Sequence, residues 1–276
     1  MLGTTLLAAA CGTVATADLT PSQSTAPSPE RSDDLVLRVE AVGGFTPPSW
    51  TYSRIPMVSI YADGRVITEG PQIAIYPSPA LPNLQVKTVP RSTVDDLVDK
   101  ARTAGVGRET DYGQPGVADA TSTRFTLVDD GKKLTSEVYA LSETREAEPG
   151  LTAAQRQARD RMRTLLQTLR EPSGAPAGGE SAYRPTAVAT IVSAWTSTGS
   201  GTPPAARAWR GAALPGPVVG PADLHCTTTT GDALRNVLTD AKSANVETPW
   251  TYDGTKWSVA FRPLLPDESG CDSLGK

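Results

Sequence analysis

Three Asp-Gly pairs, each set between runs of β-prone residues, constrain this chain more than any other feature. They are Asp63-Gly64 in PMVSIYADGRVIT, Asp130-Gly131 in STRFTLVDDGKKLTSEVY, and Asp253-Gly254 in PWTYDGTKWSVAF. An Asp-Gly pair tolerates the positive φ angles that a two-residue hairpin turn needs, so each pair predicts an antiparallel hairpin. The third fixes a register. With Asp253 and Gly254 as the turn, Trp250 faces Trp257. Trp250, Tyr252, Trp257, Val259 and Phe261 then share one face, while Thr251, Lys256 and Ser258 take the other. One apolar and one polar face is the pattern of a sheet covered on one side.

Three helices are legible beside the hairpins. In the first, Ser92 can cap, and Val94, Leu97, Val98 and Ala101 follow at helical spacing. The middle one opens with Thr152-Ala-Ala-Gln155, a capping box, and carries a stripe of Ala158, Met162, Leu165, Leu166 and Leu169. In the last, Asp232 can cap, ahead of Leu234, Val237, Leu238 and Ala241. STVDDLVDKARTAGV (92–106) lies over DALRNVLTDAKSANV (232–246) without a gap, and an Ala-Leu-Pro precedes each, at 80–82 and 213–215. A strand precedes each helix and an Asp-Gly hairpin follows it. The expected fold is therefore α+β: two related strand–helix–hairpin units, built as antiparallel sheets with helices packed on one face. Residues 84–141 and 220–262 are the expected equivalents. The first unit covers 34–171. EPSGAPAGGES (171–181) marks a linker by composition, placed at 172–182, and the second unit covers 183–276.

The N-terminal region carries an address. An apolar stretch running into small residues, MLGTTLLAAA before Cys11, is the end of an export signal. Leu7-Ala8-Ala9-Ala10-Cys11 resembles the lipobox of bacterial lipoproteins, whose Cys takes the lipid. It departs from that pattern in having Ala8 where a Leu usually sits. No basic residues open the stretch and the apolar run is short, so residues 1–10 read as the remnant of a signal. Residues 11–33 then form a lipidated Cys11 and a tether rich in Ser, Thr, Pro and Ala, which cannot bury enough surface to offset chain entropy. The expected location is the outer face of the cytoplasmic membrane. Export leaves two of the three cysteines, Cys226 and Cys271, in an oxidising compartment, where an isolated pair is most simply a disulfide.

The search for chemistry returns few leads. The net charge is −4 with no basic patch, which argues against a nucleic-acid partner. A single histidine, His225, excludes HExxH and multi-His metal centres. The chain has no GxSxG elbow, no phosphate loop and no Gly-rich dinucleotide loop. No cofactor is expected. His225 adjoins Cys226, but neighbours along a strand point to opposite faces, which speaks against a thiol–imidazole pair. The doublets Asp33-Asp34, Asp95-Asp96 and Asp129-Asp130 sit at a strand start, a helix first turn and a hairpin turn, where Asp has structural reasons to be. Arg156, Arg159, Arg163 and Arg170 share roughly one side of the middle helix. They read either as a solvated face or as a surface for anionic lipid or an acidic wall polymer. Trp195, Trp209, Trp250 and Trp257 read either as core residues or as a sugar platform.

FTPPSW, VSIYADGRVITEGPQ, IYPSPALPNL, TPWTYDG and FRPLLPDESGC resemble segments of an uncharacterised group of actinobacterial secreted proteins and lipoproteins. The resemblance covers most of the chain after the tether. It implies the same envelope address and no activity or site residues. The expected role is non-catalytic binding or scaffolding, with the membrane as one partner through the lipid and an envelope protein or wall polymer as the other. The rival expectation is an envelope hydrolase with an unrecognised carboxylate site.

Overall fold

The computed structural model describes Met1 and residues 33–144, 149–172, 179–197, 204–221 and 223–275. The expected lipid site Cys11, residues 2–10 of the signal remnant and the tether up to residue 32 lie outside that set.

In chain order the elements are β1 (Leu35–Val42), α1 (Pro48–Ser53), β2 (Val58–Tyr61), β3 (Arg65–Glu69), β4 (Leu84–Thr88), α2 (Arg91–Ala104), β5 (Ser122–Asp129), β6 (Lys132–Tyr139) and α3 (Ala153–Arg170). There follow β7 (Ser181–Ala182), β8 (Ala187–Ala194), β9 (Arg207–Ala208), β10 (Val218–Gly220), β11 (Leu224–Thr230), α4 (Gly231–Ala241), β12 (Trp250–Tyr252) and β13 (Thr255–Pro263). A short 3-10 turn, Cys271–Ser273, follows near the end. The first sheet runs β6-β5-β1-β2-β3-β4-β7 and the second β10-β11-β8-β13-β12-β9. All pairings are antiparallel except β12 with β9. The fold is α+β.

All three hairpins form, but the Asp-Gly turns are of two kinds. In the second and third, Asp130-Gly131 and Asp253-Gly254 have all four φ angles positive, at 47°, 73°, 46° and 74°. They join Asp129 to Lys132 and Tyr252 to Thr255. In the first, the last paired residues are Ile60 and Val66, and only Gly64 of the pair is left-handed. That turn is longer because Gly64 has a second task. Its carbonyl accepts from Val89 N at 2.9 Å, and a Cβ at Gly64 would stand 2.2 Å from Val89 O. Trp250 pairs with Trp257 as the spacing requires.

The capping box of α3 is present: Gln155 N donates to Thr152 Oγ1 at 3.2 Å and Thr152 N donates to Gln155 Oε1 at 2.8 Å. The other two caps differ from expectation. α2 starts one residue before Ser92, with Pro90 at the cap position, and Asp232 lies inside the first turn of α4. Neither helix has a side-chain cap bond.

The order strand, helix, hairpin recurs as β4-α2-β5-β6 and β11-α4-β12-β13. The hairpins join their sheets differently. Three strands separate β4 from β5, and the first hairpin strand is the inner one. A single strand, β8, separates β11 from β13, and there the second hairpin strand is inner.

Helices α2 and α3 cover one face of the first sheet over Leu37, Val39, Phe125, Leu127 and Val138. Helix α4 covers one face of the second over Val188, Val192, Val259 and Phe261. The opposite face of the second sheet buries Ile191 and Cys226 under Leu264, Leu274 and Tyr52 of α1. The units interlock. Ala80 and Leu81, from the β3–β4 connection, pack into the second unit's core beside Leu214. Leu265 packs with Tyr61, Ile67 and Leu84 of the first sheet. The expected linker contributes β7, which pairs with β4.

Candidate functional site

The outer face of the first sheet, away from its helices, changes character across its width. On β2, β3 and β4 it presents Tyr61, Ile67, Leu84 and Val86, which Leu265 covers. On β1, β5 and β6 strand alternation presents Arg38, Glu40, Arg124, Thr126, Lys133, Thr135 and Glu137 instead. An open cleft of about 730 Å³ stands over this polar half, with α1 and the C-terminal segment as its other wall.

One side of the cleft is an ion network that ties the first sheet to the tail. Arg38 Nη2 and the Tyr61 hydroxyl both donate to Asp267 Oδ1 at 2.7 Å, and Arg38 Nε donates to Ser59 Oγ at 3.1 Å. Arg262 Nη2 donates to Glu268 Oε1 at 2.7 Å, Leu265 N donates to Glu268 Oε2 at 2.8 Å, and Arg262 Nε donates to Arg54 O at 3.0 Å. Arg262 is almost fully buried, and burial lowers its pKa although Glu268 opposes this. Burial also works against the charge of Arg38, but Asp267, Tyr61 and Glu268 outweigh it and hold its pKa above the ordinary value. Burial, reinforced by Asp267, raises the Tyr61 phenol well above its usual range, so it stays a donor.

Glu40 sits between the walls. Arg124 Nη1 is 3.7 Å from its carboxylate, and Arg124 Nε donates to Glu137 at 2.7 Å. Burial raises the Glu40 pKa, and Arg38 and Arg124 do not fully offset it. Arg54 reaches Ala41 O at 2.8 Å and lies 5.7 Å from the centre of the Trp50 ring. Burial lowers its pKa. Phe45 and Trp50, 89% and 53% exposed, belong to the segment that lines the mouth at Gly43 and Thr51. Glu137, Asp267 and Glu268 each meet a guanidinium at 2.7 Å, whereas Glu40 meets Arg124 only at 3.7 Å. This arrangement can hold a charged ligand by exchanging ion pairs. A general acid–base pair would need a second carboxylate free of such partners.

The residues singled out in the sequence go elsewhere. Cys226 and Cys271 form a disulfide, with Cα atoms 6.0 Å apart. That removes any thiolate beside His225, whose Nδ1 meets Gly216 O at 2.9 Å. Asp33, Asp95 and Asp129 pair with Arg65, Arg91 and Arg102. The arginines of α3 point largely inward. Arg159 is fully buried and donates to Tyr112 O, Tyr139 O, Ala140 O and Thr144 Oγ1. Arg163 meets Leu141 O, Thr144 and Asp160, and Arg156 donates to Leu151 O. Arg156, Arg159 and Arg163 thus tie α3 to its flanking loops, while Arg170 is exposed at the end of the helix. Trp209 and Trp250 pack edge to face with centroids 5.6 Å apart in the second core, and Trp257 packs against that core. Among the described residues no group of His, Cys, Asp and Glu is placed to hold a metal ion. Nor is any helix among them long and apolar enough to cross a membrane.

No protein family matches the chain, and no curated protein and no solved structure matches it either.

Proposed function

We propose that this chain is a lipid-anchored protein of the cell envelope that binds a charged ligand or partner through its cleft, without catalysis, and that it belongs with the actinobacterial secreted proteins and lipoproteins its segments resemble. The observation that carries the binding reading is the cleft itself. Its floor of mixed charge comes from the first sheet and its walls from both units, and its four carboxylates all lie within ion-pair distance of an arginine. The Cys226–Cys271 bond supports the address, because such bonds persist in oxidising compartments. The rival hydrolase has one observation in its favour, the raised pKa of Glu40, and lacks an unpaired carboxylate to work with it.

Two measurements test the reading. In the native host, intact mass should show lipid on Cys11 and the protein should sediment with membranes, while Cys11→Ser is released or left unprocessed. An unlipidated Cys11 sinks the address. A photo-reactive residue at exposed Thr51, in the cleft mouth, should give an adduct that the same residue at exposed Asn236 on α4 does not give. Identical or empty patterns from the two positions reject the cleft as the binding site.

A further inference from the structure

Each sheet ends in two edge strands, and three of the four are blunted by shortness. β7 and β9 have two residues and β10 has three. The exception is β6, with eight residues and no proline. Its inner side pairs with β5 along its whole length. Ala140 N donates to Thr121 O at 2.9 Å, so the even-numbered residues of β6 turn their backbone groups toward β5. Lys133, Thr135 and Glu137 turn theirs outward, and their side chains are exposed. Among the described residues, no backbone group pairs with these three from outside. Three consecutive outward-facing residues thus present a ready-made strand template.

The charges on that template are self-complementary. Lys133 and Glu137 lie on the cleft side of the sheet with Thr135 midway between them. An antiparallel copy of the same strand, centred on Thr135, sets Lys133 opposite Glu137 twice and Thr135 opposite itself. The outward N–H and C=O groups of all three residues then meet partners in register. Centring on Ser136 would instead oppose Lys133 to Tyr139, whose carbonyl already accepts from Arg159 at 2.8 Å. The surroundings fit the first register. Beside Glu137 lies a shallow cavity of about 440 Å³ lined by Asp111, Tyr112, Tyr139 and Gln155, an acidic recess at the end a lysine would enter. The Asp111 carboxyl is held below the usual range by bonds from Gln155 Nε2 and Gly113 N, so it stays ionised.

We propose that two copies of this chain associate through the outer edge of β6, antiparallel about Thr135, with Lys133 of each facing Glu137 of the other. The two first sheets become one continuous sheet, and the floors of the two clefts adjoin across the two-fold axis. The interface is isologous, as a two-fold dimer requires. It does not depend on what the cleft binds.

Sedimentation equilibrium of the full chain carrying Cys11→Ser, over a series of concentrations, tests this. The expected result is a reversible dimer. Lys133→Glu and Glu137→Lys, each putting like charges opposite twice, should each weaken it by about tenfold or more. The double variant should regain the parent affinity. Thr135→Pro removes only an outward N–H, so it should keep the melting temperature of the parent and be monomeric. It serves as the second probe where Glu137→Lys unsettles Arg124. A parent chain that stays monomeric throughout overturns the proposal. So does a dimer indifferent to the single variants and to Thr135→Pro, or a double variant as weak as the singles.

Discussion

Replacing Cys271 by serine removes a covalent tie whose effect can be worked from its position. The bond spans 45 residues. Closing a loop of that length in the unfolded chain is worth roughly 4 kcal/mol at 25 °C by the chain-entropy treatment. A domain of this size has only about 5–15 kcal/mol of stability. A loss of that order should lower the melting temperature by about 8–16 °C. The tail itself should stay docked, although FRPLLPDESGC looks poorly anchored as a sequence. Leu264, Leu265 and Leu274 are buried, Glu268 holds Arg262 and the Leu265 amide, and Cys271 N donates to Thr228 Oγ1 at 3.3 Å. Differential scanning calorimetry of Cys271→Ser against the oxidised parent reads the loss, and far-UV circular dichroism reads the retained fold. A drop below about 3 °C with unchanged cooperativity would refute the entropic reasoning. Labelling of both native cysteines by a maleimide would refute the bond.

The remaining predictions follow the same contacts. The pKa of Glu40 is raised by burial, so its contribution to stability is fully present below the ordinary Glu range and is lost as pH rises through the folded value. Glu40→Gln should therefore melt higher than the parent at neutral pH and converge with it in acid; an opposite trend in a pH series of melting temperatures rejects this. Arg159→Met takes a donor from Tyr112 O, Tyr139 O, Ala140 O and Thr144 Oγ1, the last two keeping others from Thr144 and Arg163, and chemical denaturation should show a loss of about 2–4 kcal/mol. A change within 0.5 kcal/mol, as is usual for surface positions, would mean that Arg159 is solvated after all.

What the sequence made legible is what short-range geometry controls. The second and third hairpins, the Trp250–Trp257 register and the capping box of α3 each depend on residues within a few positions of one another. The first turn escaped because Gly64 answers to Val89, 25 residues on. The inward aim of Arg159 was readable in part: it lies three residues before Met162, on the flank of the apolar stripe. The cleft was not legible. Alternation in LVLRVEAV does put Arg38 and Glu40 opposite Leu37 and Val39, but only the strand order sets them beside Arg124 and Glu137. Arg38 and Asp267 are 229 residues apart in the chain, and no local pattern announces their bond. The two Ala-Leu-Pro segments show the same limit. Read as equivalent points in a repeat, they instead place Ala80, Leu81 and Leu214 together in a single core.

That interlocking bears on whether residues 33–172 and 183–275 can fold apart. Separated, the first half would lose Leu265 from over Tyr61, Ile67 and Leu84, and Arg38 would lose Asp267. The second half would lose Ala80 and Leu81 from its core and Tyr52 from the face around Cys226. It would also lose the Arg54 carbonyl that accepts from buried Arg262. Each emptied large apolar site costs about 2–5 kcal/mol. Those losses match the whole stability of a domain of this kind. The expected outcome is that neither half, expressed alone, shows a cooperative thermal transition, whereas co-expressed halves do. Two independent sharp melts would contradict it. They would also mean that the cleft, whose walls come from both halves, can open and close as the units move, instead of being held at one width by the contacts that make the fold.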